Sequence, residues 1–491
     1  MPEQPQVPRR PSYEELLVEN AGLRAENGQL RDGLTAAVVR IGELEARLGM
    51  TSKNSSKPPS SDGLTKPAPK SLRGKSKRGP GRPKGQMGFT LSPVDDPDHR
   101  VEHEPRAGCG CGAGLAGAAW AGVEARQVFD LPPLRLEVTE HRLISRACTC
   151  GVITKADAPQ GVSAPVQYGS RLAGVGVYLF HGQFLSKSRT VQTLGDLFGA
   201  KIAASTLVSW TKRIAAQVVA KVVPVITDRI ARSDVAHFDE TGFRTAGKLH
   251  WMHSASTSTD VLLTVHPKRG VKGMDAAGVL PRFTGTAVHD AWAPYDTYTN
   301  VTHALCNAHV LRELVYVVDT APKPLKVLAT QAIDALVEIK DLVAETTAMA
   351  TVMAATTQPA EHLNPHDLTQ RKDEQAHVLR SALVLGKNAT AGRATKLEAK
   401  YNTLFTRMIN RWEDYQRFTH DPAVSFDNNA AEQTIRMPKL RVKVSGCMRT
   451  LSGAEEFAAI RSYTATAVRQ GQNMLDVLIH AADGAPWIPA T

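Results

Sequence analysis

Three carboxylates in this chain have the types and surroundings needed for metal-dependent chemistry at phosphorus. They are Asp239 in VAHFDETG, Asp290 in GTAVHDAW and Glu432 in FDNNAAEQTIR. Two acids at strand ends and a third on a later helix are the donors needed to hold two Mg2+ ions about 3.5–4 Å apart for an in-line displacement. The pattern therefore predicts an enzyme that cuts or joins nucleic acid.

The elements that would position these acids are short strands rich in Val, Leu, Thr and aromatic residues. DVAHFDETGF, LHWMHSASTS, DVLLTVHP and GTAVHDAW read as strands, with a loop and a helix between the third and fourth. This order predicts a ribonuclease H-like α/β domain in which Asp239 ends the first strand, Asp290 ends the fourth, and the two strands are central neighbours. A helix-rich stretch before Glu432 is too long for a loop and predicts an inserted helical domain.

Length and charge are compatible with this prediction. The chain has 491 residues, too many for one core, and its 59 Lys and Arg against 48 Asp and Glu give a net charge of +11. Such a balance favours a polyanionic partner, although a membrane surface or a ribosome would attract it equally. No apolar run approaches 18 residues and the N-terminus lacks a signal-peptide core, so we expect a cytoplasmic protein with no membrane partner.

The N-terminal segment, residues 12–49, carries a heptad repeat over five heptads. Leu16, Leu23, Leu30, Ala37 and Leu44 occupy position d when Tyr13 is taken as position a. The a positions include two Asn residues, which favour a parallel dimer because buried Asn pairs fix the register. A single amphipathic surface helix is the alternative interpretation.

Two further N-terminal segments have compositions of their own. Residues 50–94 are rich in Pro, Gly, Ser and positive charge, and their Gly-Arg-Pro-Lys core resembles an AT-hook; the DNA-contacting candidates here are Arg78, Arg82 and Lys84. A solvated tail is the alternative.

Residues 95–165 carry two Cys-x-Cys pairs, with strands predicted between them. Four thiolates can close a Zn2+ site, and free cysteines are the alternative. The candidate zinc ligands are Cys109, Cys111, Cys148 and Cys150.

Residues 166–230 predict a helix-turn-helix. RTVQTLGDLFGAKIAASTLVSWTKRIA reads as a helix, a Gly-containing turn and a second helix from near Ser205, which would enter a major groove. A generic helical hairpin gives the same pattern. The candidate DNA contacts on the second helix are Thr206, Ser209, Lys212 and Arg213.

The segment around Glu432 adds polar and basic candidates. Asn428 and Asn429 would orient the carboxylate or contact DNA, or cap the helix that follows. A basic run after them is predicted to grip phosphates, and its members are Arg436, Lys439, Arg441, Lys443 and Arg449. His303, Cys306 and His309 form a cluster for which a structural role is preferred over zinc binding.

These motifs together resemble the IS66 family of insertion-sequence transposases. The residues that carry the resemblance are NSSKPPSSD from 54, the CG pairs at 111 and 150, DETGFR from 239, HALCNAHVLREL from 303, DNNAAEQTIRMPKLRVKVSGCMRTLSGAEEF from 427 and SYTATAVRQG from 462. The resemblance covers residues from about 13 to 480. It implies a zipper-like N-terminus, a zinc-binding segment, a helix-turn-helix and a DDE domain in this order, with Asp239, Asp290 and Glu432 as catalytic carboxylates on two Mg2+ or Mn2+ ions.

The resemblance also implies a reaction and partners. Water would nick each transposon end, and the freed 3′-hydroxyl would then attack target DNA in the bacterial cytoplasm, at the nucleoid. We expect a homodimer or higher oligomer, with small accessory proteins of the same element as further partners. Catalytic segments are predicted at 231–310 and 425–483, a helical insertion at 311–424 and a tail at 484–491. Gln433 departs from the family's usual Glu-Arg pair, and a nuclease that cuts without joining or an idle DNA-binding regulator are the alternatives.

Overall fold

A five-stranded mixed sheet surrounded by helices forms the centre of the molecule in this computed structural model, which describes residues 12–51, 54, 91–105, 108–355 and 365–490. The strands are β1 (Ser145–Ala147), β2 (Ile153–Lys155), β3 (Val235–Thr245), β4 (Lys248–Ser256), β5 (Val261–His266), β6 (Thr286–His289) and β7 (Thr302–Leu305). The helices are α1 (Tyr13–Leu48), α2 (Ser170–Val177), α3 (Lys187–Phe198), α4 (Ala204–Lys221), α5 (Val223–Ala231), α6 (Val271–Ala276), α7 (Asn307–Thr320), α8 (Lys323–Ala355), α9 (Pro365–Ala389), α10 (Lys396–Asn410), α11 (Trp412–Gln416), α12 (Asn429–Ser445), α13 (Leu451–Arg469) and α14 (Met474–Ala482).

The sheet has the order β5-β4-β3-β6-β7. β3, β4 and β5 form an antiparallel meander, whereas β6 lies parallel to β3 and β7 lies parallel to β6. The predicted succession of three strands, a helix and a fourth strand is therefore present, and β3 and β6 are neighbours as predicted. The fifth strand, β7, was not predicted, because THAL contains one β-branched residue, whereas the equally short β6 contains Thr and Val.

The helix-turn-helix segment shares a core with the sheet. Ile214 and Val218 of α4 pack in the same cluster as Phe238 of β3, Ile460 of α13 and Leu478 of α14. Helix α3 ends at Gly199, whose left-handed φ of 68° terminates the helix and starts the turn to α4. The second helix begins one residue before the predicted position, at Ala204.

Residues 311–424 are mostly helical where they are described, as the sequence predicts, although α7 begins earlier, at Asn307. Helices α7 to α10 pack around Leu314, Leu336, Leu383 and Phe405. This cluster also includes Val288 of β6 and Leu305 of β7, so the helical segment is built directly on the edge of the sheet that follows Asp290.

Helix α1 is long and mostly exposed. It begins with a reciprocal capping box in which Ser12 and Glu15 bond each other's backbone N–H groups. Its C-terminal end is attached to the helical segment, because Ala46 is buried there and the Asn54 side chain donates to Asp319 of α7 at 3.0 Å. The apolar heptad positions remain exposed in the single chain, so the predicted dimer stays a prediction.

The strands predicted between the two cysteine pairs are not formed, apart from the end of that segment. The described part of 95–165 contains only the short β1–β2 hairpin and an isolated bridge between Gly108 and Gly114. Val128 and Val138 are 89% and 93% exposed. The alternating apolar residues of this segment therefore have no core in which to be buried, and strands do not form. Among the residues that the structure describes, no helix combines the length and apolar character needed to span a bilayer.

Candidate active site

Adjacent strands bring Asp239 and Asp290 to the centre of the sheet. Val235, Ala236 and His237 of β3 pair with Thr286, Ala287 and Val288 of β6, and Asp290 directly follows the last residue of β6. Asp239 lies within β3 and does not end it as predicted. The strand continues to Thr245 because Ala246 and Gly247, both with positive φ, turn the chain directly into β4.

The backbone after β6 is held in an unusual conformation that presents Asp290. Ala291 has a left-handed φ of 64°, and its N–H donates to His289 Nδ1 at 3.2 Å. His289 therefore carries its proton on Nε2 and donates it to His303 Nδ1 at 3.0 Å. Burial first, and then His303, lower the pKa of His289, so the ring is neutral. Its two hydrogen bonds hold the backbone of this turn in place.

Glu432 lies in the first turn of α12 and its carboxylate faces cations. Arg436 approaches it at 3.2 Å, Arg312 of α7 at 3.7 Å and His309 of α7 at 3.8 Å. Burial lowers the pKa of His309, which favours its neutral form. The third acid is therefore paired with guanidinium groups in the described conformation.

Asn428 anchors α12 to β3 and is not a surface residue. It is 1% exposed, its amide oxygen lies 2.9 Å from His237 Nδ1, and its amide nitrogen donates to the Phe238 carbonyl at 2.8 Å. Its backbone N–H donates to the buried Cys306 Sγ at 3.1 Å, which favours the structural role expected for that cysteine. The predicted contact of Asn428 with DNA is therefore corrected, because the amide is buried and bonds to groups inside the protein. Asn428 does not cap the helix with its side chain either.

The acids are close enough to repel one another. Burial, followed by Glu240, Asp290 and Glu432, raises the pKa of Asp239 to about 8. Burial and then Asp290 also raise the pKa of Glu240. Carboxylates that share a partly buried site in this way are stabilised by a cation placed between them.

The side chains at this site are of the type that binds a hard divalent cation, but their positions are only partly suited to it. Asp239 and Asp290 supply carboxylate oxygens, the donors that Mg2+ and Mn2+ prefer, and their mutual repulsion favours a cation. Within the described ranges, however, no three His, Cys, Asp or Glu side chains are arranged to hold a metal ion. Glu432 would have to turn away from Arg312 and Arg436 to join the other two.

Sequence reasoning missed a buried network beside these acids. Glu240 accepts from the Arg269 guanidinium at 2.7 Å and from the Tyr295 hydroxyl at 2.8 Å. Arg269 in turn lies 3.8 Å from the ring centre of Trp292, two residues after Asp290. The only signal in the sequence was Glu240 itself, the second acid of DETG. Its contacts with Arg269 and Tyr295, which lie 29 and 55 positions away, cannot be read from the sequence.

The four candidate zinc cysteines form two turns of the same geometry. In each, the N–H of the first Cys donates to the carbonyl four residues on, and a Gly with φ near 90° donates back to the first Cys. A backbone hydrogen bond is the largest cause that lowers the pKa of Cys111 and of Cys148. All four thiols are exposed, and the described residues do not bring them together as one group of ligands.

Most basic and polar candidates lie on the surface, but Arg441, like Asn428, does not. Ser209, Lys212 and Arg213 are exposed on α4, and Thr206 is half-buried. In and after α12 the exposed candidates are Asn429, Arg436, Lys439, Lys443 and Arg449. Arg441 is only 8% exposed and donates to the Gly446 carbonyl at 2.8 Å, so it is not a member of the exposed basic run in which it was predicted. Arg78, Arg82 and Lys84 lie outside the described residues.

Family models match two parts of this chain. A family model described as "Family of unknown function" matches residues 2–91, and no curated protein matches the chain. A family model described as "Transposase IS66 family" matches residues 165–456. That match covers more than half of the chain and includes Asp239, Asp290 and Glu432. The chain belongs to the IS66 family of transposases.

Proposed function

We propose that this chain binds transposon ends, cleaves them hydrolytically to free 3′-hydroxyl groups and joins those ends to target DNA. Family membership implies DNA transposition and an enzyme that cleaves DNA. The observation that carries the detailed proposal is the adjacency of β3 and β6. It brings Asp239 and Asp290 together, with Glu432 of α12 close enough to influence the pKa of Asp239.

A ribonuclease H-like catalytic domain is part of the proposal. Its support is the strand order β5-β4-β3-β6-β7, with an antiparallel meander followed by two parallel strands. In this arrangement the first and fourth strands of the domain are neighbours, so acids far apart in sequence meet at one place. The helices between residues 311 and 424 would be an insertion between β7 and the helix that carries Glu432.

Asp239, Asp290 and Glu432 would hold two Mg2+ or Mn2+ ions. Such ions, when bound, lower the pKa of a nucleophilic water or hydroxyl and stabilise the leaving oxygen. The protein's own contribution is positioning: the His289–Ala291 turn presents Asp290, and Asn428 fixes the start of α12 against β3. Release of Glu432 from Arg312 and Arg436 would complete the set, and those two arginines would then be free to contact phosphate.

The remaining segments would bind DNA and pair the two ends. Exposed Ser209, Lys212 and Arg213 on α4 support major-groove recognition, and the exposed bases of α12 support contact with the backbone. Two matching Cys-x-Cys-Gly turns support a zinc module, with the four cysteines as its ligands. The heptads of α1 would hold a dimer at the nucleoid of a bacterial cell, together with accessory proteins of the element.

A strand-transfer assay tests the function. Purified protein, labelled transposon-end DNA and a target plasmid are incubated with Mg2+ or Mn2+, and Asp239→Ala, Asp290→Ala and Glu432→Ala are compared with Asp367→Ala, an exposed acid on α9. We expect joined product from wild type and from Asp367→Ala, and a loss of at least about 100-fold in each of the other three. Cleavage without joining in wild type would indicate a nuclease, and binding without chemistry would indicate a regulator.

A further inference from the structure

A group of buried basic side chains lies away from the carboxylates, between the predicted helix-turn-helix segment and α12. Arg441 of α12 and Arg461 of α13 are 8% and 9% exposed, and His181 is 3% exposed. Aromatic rings surround them: the Arg441 guanidinium lies 5.6 Å from the ring centre of Phe180 and 5.9 Å from that of Phe457. His181 packs 5.8 Å from the same Phe457 ring, so the three polar groups belong to one cluster.

His181 and Arg461 have too few partners for their burial, whereas Arg441 donates to the Gly446 carbonyl. Among the residues that the structure describes, neither ring nitrogen of His181 has a hydrogen-bond partner, and the buried Nε of Arg461 has none. Arg461 is in contact with the Phe184 ring, at 5.4 Å, but among the described residues no carboxylate forms an ion pair with Arg441 or Arg461. The nearby acid on α13, Glu456, instead interacts with Lys212 and Lys187.

Electrostatics makes this lack of acceptors costly. Burial lowers the pKa of Arg461 to about 10, which still leaves it charged at neutral pH. Burial, then Arg441, Arg461 and Lys187, lower the pKa of His181 to about 3, so its ring is neutral and keeps one N–H donor without an acceptor. A buried, unpaired cation or donor is unfavourable, and two positive charges with a free N–H call for an anionic acceptor.

The backbone at this place is also unusual. Residues Tyr178–Gly182, which include His181, form a π-helix, and Phe184 has a left-handed φ of 58°. Ser445, the last residue of α12, donates to the Phe184 carbonyl and so ties this strained segment to the helix that carries Arg441. Such deviations cost free energy and are concentrated at functional sites.

We propose that Arg441, Arg461 and His181 together bind a phosphate oxyanion. Guanidinium groups recognise phosphate through several N–H donors, and the His181 N–H would supply one more. The phosphate belongs either to bound DNA, which rests on the function proposed above, or to a free phosphate ion that stabilises the fold. The exposed bases Lys187 and Lys443 near this site would attract either form.

A thermal-unfolding experiment with inorganic phosphate tests the site without DNA. The full chain is unfolded in phosphate-free buffer and in increasing phosphate, with chloride used to keep the ionic strength constant. We expect the wild-type Tm to rise by about 2–5 °C and to saturate. Arg461→Met should lose this response, Arg461→Lys should keep part of it, and Lys326→Met, an exposed lysine on α8, should respond like wild type.

Duplex binding over a range of salt concentrations tests the DNA source. The slope of log K against log salt should be smaller by about 1 in Arg461→Met than in wild type, because one phosphate contact is lost. His181→Phe keeps the ring packing and provides a second variant in case Arg461→Met does not fold. If wild type binds no DNA, the proposed function fails and the phosphate titration alone decides the site.

The outcomes separate cleanly. A phosphate-dependent Tm that Arg461→Met loses identifies a free phosphate ion, and a changed salt slope without that response identifies a phosphate of DNA. If the Arg461→Met variant matches wild type in both measurements, the site does not bind phosphate and the proposal is overturned.

Discussion

The hydrogen bonds of Glu240 show how the candidate catalytic acids are held in position. Its side chain is almost completely buried next to Asp239, and it accepts from both Arg269 and Tyr295. Arg269 packs against Trp292, which follows Asp290. The network therefore connects the strand that carries one acid to the loop that carries the other, and it fixes the geometry of both.

Glu240→Ala should destabilise the protein. The substitution leaves the Arg269 guanidinium and the Tyr295 hydroxyl without their acceptor, and removal of one partner from such a pair costs about 2–4 kcal/mol. Urea unfolding of the full chain measures the change in free energy. Tyr295→Phe removes one hydrogen bond only and should cost about 1 kcal/mol, so equal losses in the two variants would contradict the network.

Asp239→Asn should stabilise the protein at neutral pH in the absence of divalent ions. The pKa of Asp239 is about 8 in the folded chain and 3.8 in an unperturbed one, so the folded state holds a proton that the unfolded state releases. Stability from this group is complete below about pH 4 and is lost as the pH rises toward 8. We expect a gain of about 1–3 kcal/mol for the variant at pH 7.

The measurement is urea unfolding at pH 5 and pH 8 for wild type and Asp239→Asn. The advantage of the variant should be larger at pH 8, and added Mg2+ should stabilise wild type more than the variant because the carboxylates then share a cation. A variant less stable than wild type at both pH values would show that repulsion among the acids is not the dominant effect.

At the level of elements, the start of α12 is the connection on which Glu432 depends. Asn428 joins this helix to β3 through His237 and the Phe238 carbonyl. The Asp427 carboxylate accepts a hydrogen bond from the N–H of Asn429. Asp427 and Asn429 therefore stabilise the start of the helix, while the Asn428 side chain lies inside the protein. Helix position and catalytic geometry are therefore set by the same side chain.

Asn428→Ala should lower stability and catalysis without weakening DNA binding. His237 and the Phe238 carbonyl would lose their partner inside the protein, which costs about 2–4 kcal/mol. Unfolding measurements and duplex binding are made on the same preparations, with Asn388→Ala, at an exposed position on α9, as the matched control. Reduced DNA affinity with unchanged stability would instead restore a surface role for Asn428.

At the scale of the whole molecule, α1 exposes apolar side chains that a second helix could cover. It is 36 residues long, and Leu23 and Leu30 are 50% and 64% exposed at heptad d positions. Within the described part of the chain, the side chains of Asn20 and Asn27, at a positions, bond only to carbonyls of their own helix. A second copy would bury the leucines and pair the Asn side chains, which fits the need to hold two DNA ends.

Leu23→Asp should weaken dimerisation by about 100-fold, because two buried leucines per dimer are lost and two charges are placed at the seam. Analytical ultracentrifugation over a concentration series measures this. Val18→Asp makes the same kind of change at an f position, where Val18 is 74% exposed, and should leave the dimer intact. Equal effects of the two substitutions would argue against the predicted heptad frame.

The sequence by itself determined the features that depend on local pattern. The strands that carry Asp239 and Asp290, the helix from near Ser205 and the helical segment after residue 311 were all predicted, since side-chain periodicity and turn residues act over a few positions. The adjacency of the two strands was predicted from the order of the elements, which is that of a ribonuclease H-like domain. Family membership was also predicted, from motifs written in the sequence.

Only the tertiary structure decided which groups meet. His237 and Asn428 are 191 positions apart, Glu240 and Tyr295 are 55 apart, and no local pattern records such pairs. Arg441 looks like a surface base in sequence, yet folding buries it among aromatic rings. Apolar alternation between the cysteine pairs predicts strands, yet these are not formed because strand pairing requires a partner and a core that this segment does not contact.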